Sequence, residues 1–161
     1  MFDEPLCALA HGVSTFADMP KTPVILIVDD DITDVELARS VLSNVHVHHT
    51  VETCTDGREA LARIQRAGPY ENLPKPALVL LDLSVPSLSG LELLQHVKSD
   101  PSTRDVPIVV LSGTEDVALI RQAHAAHANA FIRKPGDLGA INAALCACVE
   151  FWLSYAIAPV D

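Results

Sequence analysis

Apolar and polar residues alternate in blocks along this chain. "PVILIV" at residues 23–28 is an apolar run of strand length that breaks off against Asp29, Asp30 and Asp31. Between residues 33 and 44 the spacing turns helical, with Val35, Ala38, Val41 and Leu42 on one face. "VHVHHTVET" is β-branched and alternating, which predicts a strand, and "DGREALARIQRAG" opens on a capping Asp56 and stops at a glycine, which predicts a helix. After the Pro-rich loop "GPYENLPKP" the pattern repeats: "ALVLLDL" as strand, "SGLELLQHVKS" as helix, "VPIVVLSG" as strand, "EDVALIRQAHAAH" as helix and "NAFIRKP" as strand, before a long last helix. The predicted strands, roughly 24–29, 47–53, 77–82, 106–111 and 129–133, alternate with five helices. Apolar runs without polar alternation indicate strands covered on both faces. The expected fold is therefore α/β, a five-stranded parallel, doubly wound sheet.

Residues 1–22 show no period and read as an N-terminal tail, 23–150 as the domain, and 151–161 as an extension of the last helix and a tail. "AINAALCACVEFWLSYAIAPV" at 140–160 has the apolar length of a membrane span, but Glu150 stands in its middle. Ile141, Leu145, Cys148, Val149, Trp152 and Tyr155 form one stripe with Glu150 opposite, which predicts a long amphipathic surface helix. Leu153 and Ile157 fall off that stripe, are expected to be exposed, and suggest a homodimer contact through this helix and the tail.

The 161-residue length fits one domain, and a net charge of −10 argues against nucleic acid or anionic lipid as partner. The cysteines at 7, 54, 146 and 148 include no CxxC, and the first residues are acidic where a secretory signal is basic. Reduced thiols in a cytoplasm are the expectation. His46 and His48 fall on one face of the predicted second strand without a third ligand nearby, so an exposed strand start is preferred to a metal site.

Ligands of such sheets bind at the carboxyl ends of the strands. There the first strand brings Asp29, Asp30 and Asp31, the third Asp82, the fourth Ser112 and the fifth Lys134. Each alone has a plain reading: a solvated turn, a loop acid, a helix cap, a surface lysine. Together they suit one chemistry. Clustered carboxylates hold a hard divalent ion such as Mg2+, a carboxylate can attack phosphorus, and an ammonium and a hydroxyl can hold phosphoryl oxygens.

"ILIVDDD", "LVLLDLSVPSLSG", "PIVVLSG" and "FIRKP" resemble the response-regulator receiver domain of two-component signalling over about residues 22–150. "GPYENLPKPALVLLDL", "HANAFIRKPGDL" and "FWL" look most like single-domain regulators associated with bacterial phytochromes. The resemblance implies a flavodoxin-like strand order 2-1-3-4-5, with phosphoryl transfer from a sensor histidine kinase to Asp82. It implies Mg2+, with Mn2+ or Ca2+ as substitutes, on Asp30 directly, on Asp29 mostly through water, on Asp82, and on the backbone carbonyl of Ser84. Ser112 and Lys134 would hold the phosphoryl group, and Phe131 would take the aromatic switch position without a hydroxyl. Pro86 and Gly90 would shape the loop after Asp82, and Pro135 would follow a cis peptide. Ser84 and Ser89 stand where Asn or Asp is frequent, which bears on phosphoryl lifetime. The expected output is protein–protein interaction in the cytoplasm, without enzymatic activity beyond slow self-dephosphorylation. A phosphate sink, or relay to a histidine phosphotransfer protein, is the alternative. "ILIVDDDIT" also fits haloacid-dehalogenase phosphatases, with Asp29 as nucleophile and Asp31 as acid–base. That reading lacks a later acidic pair and leaves Asp82 idle.

Overall fold

The computed structural model describes residues 22–134 and 137–155. The predicted tail and its Cys7, the Lys134–Pro135 peptide and Ile157 lie outside those residues. Five parallel strands, β1 (Val24–Val28), β2 (Thr50–Cys54), β3 (Leu78–Leu81), β4 (Ile108–Ser112) and β5 (Ala130–Arg133), form one sheet in the order β2-β1-β3-β4-β5. Five helices connect and follow them: α1 (Ile32–Leu42), α2 (Gly57–Gln65), α3 (Gly90–Ser99), α4 (Val117–Ala125) and α5 (Leu138–Glu150). This is the flavodoxin-like doubly wound fold expected from the sequence.

Alternate side chains of a strand point to opposite faces, so each apolar strand feeds two cores. Leu26, Val28, Val79, Leu81, Ile108 and Val110 pack with Ala60, Ile64, Leu93, Leu94, Val97 and Ala123 of α2, α3 and α4. Ile25, Ile27, Leu78, Leu80, Val109 and Leu111 pack with Val35, Ala38 and Leu42 of α1 and with Ile141, Leu145 and Val149 of α5. Burying a side chain of this size stabilises by about 1.5–3 kcal/mol. That is why β1, β3 and β4 carry no polar residue before their last position.

Three boundaries depart from the sequence reading by more than a residue or two. β2 starts at Thr50, with a bend at His46 and Val47 and no regular structure at His48 and His49, so the shared strand face inferred for His46 and His48 does not exist. The ladder between β1 and β2 begins where Val24 pairs with Thr50. α2 ends at Gln65 with Arg66, not a glycine, in the left-handed region at φ 58°. Finally, α5 gives way at Phe151–Tyr155 to a π-helical turn. The wider turn shifts the phase of the apolar stripe. Tyr155 is 77% exposed, while Leu153, expected outside, is half-buried against the α1–α5 core. Among the described residues, the exposed large apolar side chains at this end are Phe151 and Tyr155.

The Pro-rich loop is tied down by a buried arginine. Arg63 on α2, 1% exposed, grips both carboxylate oxygens of Glu52 on β2 at 2.6 and 3.1 Å and donates to the Pro74 carbonyl at 3.0 Å. No helix among the described residues is long and apolar enough to cross a membrane.

Candidate functional site

Register builds the site. Val28 pairs with Leu81, so the next residues, Asp29 and Asp82, leave the sheet side by side. Ser112 pairs with Arg133, which sets Lys134 one step beyond Ser112, and the Lys134 amide donates to the Ser112 carbonyl at 2.9 Å. Both acids are anchored through their backbones: the Asp29 amide donates to Cys54 O at 3.1 Å and the Asp82 amide to Val28 O at 2.9 Å.

Lys134 Nζ lies among three carboxylates, 2.9 Å from Asp29 Oδ2, 2.8 Å from Asp82 Oδ2 and 2.6 Å from Asp34 Oδ2. Asp29 is buried and its other oxygen accepts from the Asp31 amide at 2.9 Å. The other oxygen of Asp82 accepts from the Ser84 amide at 3.0 Å. Burial drives the Asp29 carboxyl above its usual range despite the opposing pull of Lys134. For Lys134 burial works toward a lower value, but the hydrogen bonds to Asp34, Asp82 and Asp29 outweigh it and raise the ammonium above its ordinary range. One ammonium thus stands hydrogen-bonded among three carboxyl groups. Beneath it, between the sheet and helices α1 and α5, lies a cavity of about 20 Å³ lined by Ile27, Leu80, Leu111 and Ile141, room for a water molecule.

Asp34 completes the cluster although it does not stand at a strand end. It stands in the first turn of α1, which rises from the carboxyl end of β1, and an acid there can turn back over the sheet edge. Asp30, in contrast, is exposed and outside the carboxylate cluster. The Asp29 side chain takes the Asp31 amide and Asp31 caps α1 through the Thr33 amide at 2.8 Å, which turns Asp30 outward.

Ser112 is buried, and its hydroxyl accepts from the Thr114 amide at 3.3 Å. It makes no hydrogen bond to Asp82. Asp116, not Ser112, caps α4. Phe131 is half-buried against the α2–α4 core, its ring 6.2 Å from that of His124. Gly90 is required by close approach: a Cβ on it would lie 2.2 Å from the Asp82 carbonyl oxygen. Pro86 is exposed, and its carbonyl accepts from the Gly57 and Leu88 amides at 3.1 and 2.8 Å. Ser89 caps α3 in a reciprocal capping box with Glu92, so its side chain is committed to the helix rather than free above the site. Ser84 is exposed at the rim.

The donor set suits a hard cation. Asp29, Asp34 and Asp82 each offer an oxygen, all within 4.8 Å of one another, and oxygen-only, multiply charged sites favour Mg2+, Mn2+ or Ca2+ over softer ions. The Lys134 ammonium already occupies the position of a charge that the cluster requires.

A family model described as the response regulator receiver domain matches residues 25–146. The chain is a response-regulator receiver. It is 32% identical over 147 residues to the response regulator Rcp1 of Synechocystis sp., covering 91% of this chain and 99% of that protein. Among solved structures it is similar to the phosphorylated cyanobacterial phytochrome response regulator RcpA, with a TM-score of 0.81 at 37% identity over 86% of this chain and 99% of that one. It is also similar to the Mn2+-bound form of Rcp1, with a TM-score of 0.80 at 32% identity over the same shares. This receiver is thus of the phytochrome response-regulator type, and such domains are in general not enzymes. The phosphatase alternative falls with the assignment. In place of the later acidic pair it lacked stands a single acid before α5, Asp137, which caps that helix through the Gly139 amide at 3.1 Å.

Proposed function

We propose that this receiver accepts a phosphoryl group on Asp82 from a phosphohistidine of a sensor histidine kinase, and that the kinase is a bacterial phytochrome. The observation that carries the reading is the Lys134 ammonium bonded to Asp82 and Asp29 together at 2.8 and 2.9 Å. The Asp82 carboxylate attacks phosphorus, the P–N bond to the donor imidazole breaks, and an acyl phosphate forms. The Ser84 amide holds one Asp82 oxygen and so orients the carboxylate toward the donor. Lys134 then follows the new charge onto a phosphoryl oxygen, and Ser112 turns its hydroxyl from the Thr114 amide to another. Asp29 and Asp82, with Asp30 at the mouth and the Ser84 carbonyl in the adjoining loop, would hold Mg2+. The bound ion supplies charge neutralisation on the phosphoryl oxygens. The inward turn of Ser112 opens space beside Phe131, whose ring responds by packing alone, and the face of α4, β5 and α5 changes shape.

The partner assignment is supported by the likeness to Rcp1 and RcpA. Phosphotransfer from an autophosphorylated bacterial phytochrome kinase tests it: label reaching the wild-type chain but not Asp82→Asn, and released by hydroxylamine as an acyl phosphate must be, is the expected result. No transfer from any such kinase contradicts the phytochrome pairing. Output is protein contact in the cytoplasm, in keeping with the free thiols of Cys54, Cys146 and Cys148. A phosphorylated lifetime of seconds rather than minutes would favour the sink or relay to a histidine phosphotransfer protein. Exposed Phe151 and Tyr155 favour a homodimer through the end of α5 and the tail. Deleting residues 151–161 should then halve the mass seen by light scattering, and a monomeric full-length chain would refute the dimer.

A further inference from the structure

The segment after Asp82 is braced from outside its own strand and helix. It runs through residues 83–89, with Leu83 and Val85 buried and Ser84, Pro86 and Ser87 exposed. Its far side is held to the start of α2 by three contacts. The Gly57 amide donates to the Pro86 carbonyl at 3.1 Å. The Ser87 hydroxyl donates to Asp56 Oδ2. Gly57 also lies so near that a Cβ on it would be 1.9 Å from the Leu88 carbonyl oxygen. Asp56 cannot drift, because its other oxygen caps α2 by accepting from the Arg58 and Glu59 amides at 2.8 and 3.2 Å. Ser87 itself has φ 68°, a left-handed conformation that glycine adopts without strain and serine does not. A serine there gives up backbone comfort and gains the bond to Asp56.

We infer that the Asp56–Ser87 hydrogen bond is a positioning device for the cation site, holding loop 83–89 so that the Ser84 amide stays on Asp82 and the Ser84 carbonyl is presented beside it. The inference rests on the metal-assisted receiver reading and extends it to two residues outside the carboxylate cluster. Neither Asp56 nor Ser87 touches the reacting atoms; both act through Ser84. Outer partners that orient metal ligands change affinity by roughly 10–100-fold when lost.

Ser87→Gly separates this role from folding, since it removes the hydroxyl but also relieves the backbone strain. The probe is Mn2+ alone, titrated into the full chain with free ion read by electron paramagnetic resonance, alongside thermal unfolding of each variant. Ser87→Gly should melt close to wild type yet bind Mn2+ roughly tenfold more weakly, and Asp56→Ala should weaken it similarly. Asp56→Asn keeps Oδ1 for the α2 cap and offers its Nδ2 to the Ser87 hydroxyl oxygen, so it should bind within about twofold of wild type. Wild-type affinity in both Ser87→Gly and Asp56→Ala overturns the inference alone. So does an Asp56→Asn variant as weak as Asp56→Ala, because charge rather than the brace would then be at work. A wild-type chain that takes up no Mn2+ overturns the cation reading, and the inference with it.

Discussion

Lys134→Met asks what the ammonium does before any phosphoryl group arrives. The substitution keeps most of the side-chain length and removes the charge. It leaves three carboxylates with oxygens within 4.8 Å of one another, which at an effective dielectric of about 20 costs about 3–4 kcal/mol per pair. Asp34, whose side chain is 36% exposed, can swing into water, so the pair that cannot relax is Asp29 with Asp82, 7% and 13% exposed. The expected loss in EDTA at pH 7.5 is therefore about 2–3 kcal/mol, once salt screening and the desolvation cost of Lys134 itself are discounted. In urea that lowers the midpoint by about 1–2 M. Two rescues should follow. The Asp29 carboxyl is already raised by burial, and without Lys134 it rises further. Below that raised value the folded state holds a proton that the unfolded state, titrating near about 4, has released, so the variant gains stability as pH falls from 7 toward 5. Mg2+ should recover stability as well, because it binds only the folded cluster. A variant with the wild-type midpoint in EDTA, or a loss that neither low pH nor Mg2+ reduces, would refute the idea that Lys134 neutralises this site.

Gly90→Ala forces a Cβ to within 2.2 Å of the Asp82 carbonyl oxygen, a backbone atom that cannot step aside. It should cost about 1–3 kcal/mol by urea unfolding and slow phosphorylation by acetyl phosphate, and an unchanged rate would show that the loop tolerates the shift. Glu52→Ala strands the buried Arg63 guanidinium and should destabilise by about 3 kcal/mol, more than Arg63→Met, which removes the charge along with its partner; the reverse ranking in calorimetry would contradict this. Burial pushes the Cys54 thiol up to about 12 and the Cys148 thiol up to about 11. Both should stay unmodified by iodoacetamide at pH 8 until the chain unfolds, as read by peptide mapping.

The strands were legible because β1, β3 and β4 need unbroken apolar runs to fill two cores, and the site residues were legible because each follows such a run. Asp29, Asp82, Ser112 and Lys134 all stand at a strand's carboxyl end, where the sequence placed them. Asp34 escaped because it lies on a helix, and nothing in its spacing says whether it faces solvent or turns back over the sheet. Asp56 was legible as the α2 cap, but its bond to Ser87 and the role of Gly57 were not, for a different reason. Their contacts join segments some thirty residues apart, and the glycine is explained only by the Leu88 carbonyl packed on it. At the end of α5 a period of 3.6 predicted a buried Tyr155, whereas the π-helical turn exposed it and drew in Leu153. β2 was read as starting three residues too early because alternation in "HVHH" looked like strand, whereas the ladder with β1 starts at Thr50, opposite Val24.

The central claim is that Asp82 takes the phosphoryl group with the help of a divalent cation. Intact-mass spectrometry after incubation with acetyl phosphate and Mg2+ tests it most directly. One phosphoryl should be added to the wild-type chain, lost when EDTA replaces Mg2+ and absent from Asp82→Asn. A phosphoryl adduct that persists in Asp82→Asn would contradict it.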